Sequence, residues 1–277
     1  MRRRIPFAIA ASAGVLLGGC DGRTVSREAN FEMTQTTLDL TDTQRARLAS
    51  RKIFFAHQSV GGNVLQGVAD LLQENPGLSL RIVRSADPAA VSGPAIVETP
   101  IGENGDPSSK AAAFAASLAN GLGVDRGIAL YKYCYLDFGP TSDAARIFEE
   151  YQATVQRVRA ANPTLTIVHV TVPLTVAESP VRHAMKRLLG RPAVRDVNAK
   201  RNEFNRLMRA AYGGKEPLFD LAAIESTRPD GSRSFEPRGR DTVFTLAPDY
   251  TDDGGHLNAR GRRLAATQLL QLLASLN

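Results

Sequence analysis

The chain has 277 residues, 43% of them hydrophobic and 22% charged, with 34 Lys and Arg against 28 Asp and Glu, two Cys and no Trp. That balance excludes disorder as the main state and supports one sizeable core, since a chain of this length buries about three quarters of its unfolded surface. The formal charge of +6 falls to +3 once residues 1–19 are set aside, because they hold Arg2, Arg3 and Arg4 and no acidic residue; binding to nucleic acid loses its main electrostatic support.

The three arginines precede a run from Ile5 to Leu17 that carries no charge and ends in small residues. A spanning helix needs ~20 apolar residues, so the run reads as a secretory signal over residues 1–19. Leu17-Gly18-Gly19-Cys20 resembles the lipobox of bacterial lipoproteins, in which the Cys thiol receives a diacylglyceryl group and becomes the new amino terminus. The resemblance implies lipidation at Cys20 and a periplasmic protein tethered at a membrane face of the cell envelope, inner or outer. Each buried methylene contributes about 0.8 kcal/mol to such an anchor. Plain cleavage after Gly19 is the alternative. With the Cys20 sulfur consumed, only Cys134 remains, no intramolecular disulfide can form, and Cys134 in its apolar run reads as a buried thiol.

Residues 21–40 mix Asp, Arg, Thr, Ser and Glu with scattered apolar positions, so the chain divides into a signal (1–19), a lipidated tether (20–40) and one domain (41–277). Thr41 and Gln44 have capping-box spacing before a helix over Arg45 to Arg51. Lys52 to His57 follows as a short strand. Val64, Val68, Leu71 and Leu72 then recur at helical spacing over 61–74, until Asn75-Pro76 ends the pattern.

The alternation continues with strand 78–84, helix 109–121, strand 127–135, helix 142–161, strand 164–172, helix 194–212, a short strand 218–220 and a last helix 258–276. The last helix carries Leu269, Leu272, Leu273 and Leu276 on one stripe. Strand 127–135 places Tyr131, Tyr133 and Tyr135 on one face. Strands alternating with helices of this length predict an α/β fold in which a parallel sheet is covered on both faces. Three connecting segments are long: 85–108, 173–193 with Arg182, Lys186, Arg187 and Arg191, and 225–256. All follow strands, and ligands in open parallel sheets bind beyond the carboxyl ends of the strands.

Two segments carry candidate chemistry. In His57-Gln58-Ser59-Val60-Gly61-Gly62-Asn63 a hydroxyl follows the first strand directly, where the next helix offers free backbone N–H groups to a developing oxyanion. A serine there also serves as a helix cap. In Asp252-Asp253-Gly254-Gly255-His256-Leu257-Asn258, two glycines between Asp253 and His256 let a carboxylate meet an imidazole. The same loop also reads as a cap in which Asn258 starts the helix. His57 reads as a satisfied structural histidine, with a fallback base or a support for the first segment as the alternatives.

Together the segments resemble the SGNH (GDSL-type) hydrolase superfamily, in which a Ser block after the first strand works with an Asp-x-x-His block before the last helix. The resemblance spans roughly residues 50–277. It implies a three-layer α/β/α fold with a parallel sheet of about five strands, flavodoxin-like, and an acyl-ester hydrolase without cofactor or metal. Ser59 would be the nucleophile, His256 the general base and then acid, and Asp253 the residue that orients His256. Two departures stand out. Gln58 holds the place of the family's Asp, and the oxyanion Asn expected near Tyr133-Cys134-Tyr135-Leu136-Asp137 is absent.

Replacement oxyanion donors are sought in the Ser59 N–H and in Gly102-Glu103-Asn104-Gly105-Asp106-Pro107, through Gly105 and the Asn104 amide, although Asn-Gly and Asp-Pro also mark plain turns. Tyr135 or Asp137 could reach the pocket. His57, His169, Asp137, Asp253 and His256 lack metal-ligand spacing, and neither a P-loop nor a Gly-x-Ser-x-Gly elbow is present. The expected substrates are acyl esters such as O-acetyl groups of polysaccharide or peptidoglycan. An acyltransferase using the same triad, or a non-catalytic envelope binding protein, are the alternatives.

Overall fold

The computed structural model describes residues 37–179, 188–189 and 193–277. Cys20 with its signal, and Arg182, Lys186, Arg187 and Arg191, lie outside them.

Helix α1 (Asp42–Ala49) opens on the expected capping box, with Gln44 N–H donating to Thr41 Oγ1 at 3.3 Å and Thr41 N–H donating to Gln44 Oε1 at 2.9 Å. In chain order there follow β1 (Lys52–His57), α2 (Val60–Glu74), β2 (Ile82–Arg84), β3 (Ala95–Pro100), α3 (Pro107–Ser117), β4 (Ile128–Tyr131) and α4 (Ala144–Ala161). The second half contains β5 (Thr166–Ile167), β6 (His169–Val170), α5 (Val194–Tyr212), β7 (Leu218–Phe219), α6 (Leu221–Ser226), β8 (Phe235–Arg238), β9 (Asp241–Phe244) and α7 (Ala259–Ser275). The central sheet is five-stranded and parallel, ordered β2-β3-β1-β4-β5. β6 follows β5 after one residue and pairs in parallel with β7. With the edge strand β2 set aside, β5 and β6 taken as one interrupted strand and β7 added beside it, the order reads as the doubly wound 2-1-3-4-5, whose switch point lies between β1 and β4.

Every residue of β1 is buried, as a central strand covered on both faces requires. Its side chains divide between two layers by the period-2 alternation of a strand. Ile53 and Phe55 meet Val64, Val68 and Leu71 of α2 and Leu264, Leu269 and Leu273 of α7. Phe54 and Ala56 face the other way, toward Phe114 of α3, Tyr151 of α4 and Phe204 of α5. Leu38 and Leu40, assigned to the tether by composition, are buried in the first layer, so packing begins before residue 41.

Several elements differ from the sequence reading. β3 lies inside the segment read as a loop over 85–108, and of strand 78–84 only its last three residues pair. Strand 127–135 ends at Tyr131, and the chain turns into a 3-10 helix at Tyr135–Asp137. Tyr131 and Tyr133 stay together in the second layer, their ring centroids 5.5 Å apart, while Tyr135 packs against the first layer, so the three phenols do not share a face. The segment 225–256 contains the antiparallel hairpin β8-β9. Among the described residues, no helix is long and apolar enough to cross a membrane.

Candidate active site

The parallel register brings three chain segments to one edge. His57 of β1 is level with Pro100 of β3, and Ala56 with Tyr131 of β4. Two residues past the end of β1 comes Ser59, two past β3 comes Gly102, and four past β4 comes Tyr135. All three therefore leave the sheet at its carboxyl edge, beside the switch point where doubly wound folds hold ligands.

Ser59 has φ 50 and ψ −108, a conformation rare for a residue with a Cβ, and its side chain makes no capping bond to α2. The helix-cap alternative is thereby set aside. Its Oγ lies 2.6 Å from His256 Nε2, across a sequence separation of 197 residues. On the far side of the ring, His256 Nδ1 lies 2.6 Å from Asp253 Oδ2. The other carboxylate oxygen of Asp253 accepts the backbone N–H of Gly255 at 2.9 Å and of His256 at 2.8 Å. Those two bonds, followed by the one to the imidazole, hold the Asp253 carboxyl well below the usual carboxylate range, so it is ionised. Asn258 also caps α7, accepting from Arg260 N–H at 3.1 Å and Gly261 N–H at 3.0 Å, while His256 is no mere solvated neighbour of that cap.

The sequence reading gave no role to Asn63. Its Oδ1, in the first turn of α2, accepts Leu257 N–H at 3.2 Å and so fastens the histidine loop to the serine helix. Val176 N–H donates to Gly254 O at 3.0 Å from the opposite side.

His57 is not part of the relay. It is buried, and burial, with Lys132 and Arg84 nearby, brings its pKa down to about 3. The 3.0 Å contact between its Nε2 and Glu98 Oε2 is then a hydrogen bond donated by a neutral ring. His169 is likewise structural, buried between the Tyr151 hydroxyl at 2.7 Å and Glu216 Oε2 at 3.0 Å. Cys134 is a buried free thiol. No three or more His, Cys, Asp or Glu among the described residues are placed to hold a metal ion.

The expected donors at Asn104 and Gly105 require correction. Gly105 N–H donates to Asp137 Oδ1 at 2.9 Å, and Asn104 Oδ1 accepts from Lys110 Nζ at 2.9 Å. Both residues serve a buried ion pair, Lys110 Nζ to Asp137 Oδ1 at 2.6 Å, in which neither side chain is exposed. Asp137 is held in that pair and accepts Cys134 N–H at 2.6 Å, so it does not reach the pocket. The glycine that faces the serine segment is Gly102. It has φ +54, and a Cβ there would lie 2.6 Å from Lys110 N. The Gln58 amide donates to Ile101 O at 3.2 Å and Gly102 O at 3.0 Å, fixing this turn beside Ser59. Gln58 thus has a structural use of its own where the resembled family carries Asp. Among the described residues, neither the Ser59 N–H nor the Gly102 N–H donates to another group.

No family model and no curated protein matches the chain. Similar solved structures include a GDSL-like lipase from Bacteroides thetaiotaomicron, 14% identical with a TM-score of 0.48, the match covering 83% of this chain and 94% of that one. A second, described as a putative platelet activating factor from Streptococcus pneumonia, is 17% identical with a TM-score of 0.47, covering 83% and 91%. A third is the periplasmic domain of a lipopolysaccharide acetyltransferase from Salmonella ser. Paratyphi A, 11% identical with a TM-score of 0.43, covering 86% and 92%. At such identities and scores a shared activity does not follow.

Proposed function

We propose that the protein is an SGNH-type serine esterase of the bacterial cell envelope. The observation that carries this reading is the unbroken line from Ser59 Oγ through the His256 ring to Asp253, with both links at 2.6 Å. His256 Nε2 takes the Ser59 proton as Oγ bonds to the acyl carbon, then gives it to the departing alcohol. Asp253 fixes the tautomer and balances the imidazolium. The Ser59 and Gly102 N–H groups are the backbone donors for the oxyanion. The acyl-Ser59 ester is then cleaved by water activated at the same nitrogen. The His256 side chain is 45% exposed, which leaves the base open to water and to an acceptor hydroxyl alike.

The lipobox resemblance of Leu17-Gly18-Gly19-Cys20 is what supports acyl esters of the envelope, such as O-acetyl groups on polysaccharide or peptidoglycan, as substrates, and lipidated Cys20 as the anchor. Labelling with a fluorophosphonate probe tests the nucleophile. The wild-type protein is expected to label at one site and Ser59→Ala not at all, with turnover of p-nitrophenyl acetate falling on the order of 10⁴–10⁶-fold. Turnover at the wild-type level in Ser59→Ala would remove the reading. Release of free acid without transfer to an added sugar separates the esterase from an acyltransferase. Incorporation of radiolabelled palmitate, lost in Cys20→Ala, tests the anchor.

A further inference from the structure

The resembled family places an Asn side chain in the loop after the strand that is β4 here, and this chain has none. The loop instead delivers Tyr135 to the triad. Its ring meets the His256 ring edge to face, with centroids 5.9 Å apart. Its hydroxyl lies 3.1 Å from where a Cβ on Gly255 would stand, a tight approach that the glycine next to His256 leaves room for. The His256 ring is the same imidazole that Ser59 Oγ contacts at 2.6 Å, so the phenol stands beside the reacting pair. Tyr131 and Tyr133 are packed away in the second layer, which makes Tyr135 the phenol of this strand and loop that faces reacting atoms.

Much of the neighbourhood is spent on holding Tyr135 still. Arg201 Nε donates to Tyr135 O at 2.9 Å, and the guanidinium carbon lies 5.6 Å from the centre of its ring. Arg201 is itself buried and pinned by Asn198 Oδ1 at 2.6 Å and Thr175 Oγ1 at 2.9 Å. On the other flank, Asp137 holds Cys134 N–H and is neutralised by Lys110. A phenol needed only to fill space would not require its backbone to be fixed from two sides by buried charges.

We propose that the Tyr135 hydroxyl is a catalytic hydrogen-bond donor, serving the oxyanion in place of the missing Asn. The proposal rests on Ser59 being the nucleophile. At rest Ser59 donates to His256 Nε2, and the phenol stands beside the ring. As Oγ bonds to the acyl carbon, its proton passes to His256 and the carbonyl π pair moves to oxygen. The phenol donates to that oxygen, a neighbour of Oγ on the same carbon, and keeps its own proton throughout. When the oxyanion collapses, the bond to the alcohol oxygen breaks and His256 returns the proton to it. Burial raises the phenol pKa above its ordinary value, which keeps the hydroxyl in its donor form at neutral pH.

Tyr135→Phe in the full chain removes the hydroxyl and keeps the ring. With p-nitrophenyl acetate, kcat is expected to fall about 10²–10³-fold with KM changed little, the cost of one oxyanion donor. Affinity for phenylboronic acid, whose adduct on Ser59 is tetrahedral, is expected to weaken by the same factor, while inhibition by acetate stays unchanged. Should Tyr135→Phe misfold, site-specific 3,5-difluorotyrosine at 135 keeps the packing and ionises at lower pH. It is expected to bring a new alkaline loss of kcat. Wild-type kcat and boronate affinity in Tyr135→Phe, or no shift with the fluorinated residue, would overturn the proposal. Failure of the wild-type chain to label with fluorophosphonate would instead overturn the esterase reading on which it rests.

Discussion

Two polar clusters meet at the carboxyl edge of the sheet, built on opposite terms. In the first, His256 and Asp253 leave 45% and 58% of their side chains in solvent. In the second, Lys110 and Asp137 leave none, and Lys132, Arg201 and Glu225 lie buried as well. An exposed ion pair contributes roughly 0–1 kcal/mol to stability, so the first cluster holds its geometry through backbone instead: the Gly255 and His256 N–H bonds to Asp253 and the Asn63 strap on Leu257. The second cluster gains nothing from water and must satisfy its charges internally. The triad is therefore arranged for reaction, and the ions behind it for the position of the loop that carries Tyr135. Substitutions in the two clusters should fail in different observables.

Among the substitutions that set one cluster against the other, the largest effect is expected at the exposed carboxylate. Asp253→Asn keeps an oxygen for the two backbone N–H groups but loses the charge that faces Nδ1, so turnover of p-nitrophenyl acetate should fall about 10³–10⁴-fold while the thermal midpoint barely moves. Because those N–H bonds hold the Asp253 pKa below the ordinary carboxylate range, the acid limb of the wild-type pH profile should not come from this residue at pH 4 and above. A drop of many degrees in the midpoint of Asp253→Asn would show that the triad is structural and erase the contrast.

The buried pair should respond in reverse. Asp137→Asn leaves Lys110 Nζ without its countercharge in a site closed to water, at a cost of about 3–5 kcal/mol in urea unfolding. An unchanged unfolding midpoint would mean that the ammonium finds solvent. The second cluster would then not be the closed one the contrast requires.

The two clusters also differ in how far the sequence discloses them. Ser59 and the Asp253–His256 loop were legible because each is announced locally, by a strand that ends in a hydroxyl and by a carboxylate and imidazole three residues apart before a helix. The fold class followed from the alternation of strands and helices in the same way. Lys110 and Asp137 are 27 residues apart and meet only because α3 packs beside the loop after β4. No local spacing announces that meeting, so Gly105 and Asn104 read as oxyanion donors when they serve the ion pair. β3 was hidden by its composition. Ala95-Ile96-Val97-Glu98-Thr99-Pro100 follows Pro94 and itself ends in a proline, and it becomes a strand by pairing with β1 and β2. Strand 127–135 was overdrawn because the Tyr alternation runs on after the ladder has ended. That end is what turns Tyr135 toward the serine.

The smallest effect is the one that tests whether the second cluster is as dry as the contrast holds. Glu225 accepts the Leu174 N–H with one carboxylate oxygen, and burial pushes its pKa up from 4.5 to about 8; burial likewise brings Lys132 down from 10.5 to about 8. A group whose folded pKa is raised binds its proton more tightly in the folded chain, so its contribution to stability is complete below the unfolded value and is lost as pH rises toward the folded one. Lys132 acts in the opposite sense above about 8, where loss of its proton relieves the folded state. Stability should therefore decline from pH 5 toward 8 and recover beyond it. Glu225→Gln, which retains an acceptor for Leu174 N–H, should flatten the declining limb in urea titrations run at a series of pH values. It should leave turnover per folded molecule unchanged, because Glu225 touches none of the reacting groups. A declining limb that persists in Glu225→Gln would mean that the carboxyl keeps its ordinary pKa, as it would if water entered the cluster, and the two regions would then differ in exposure by degree and not in kind.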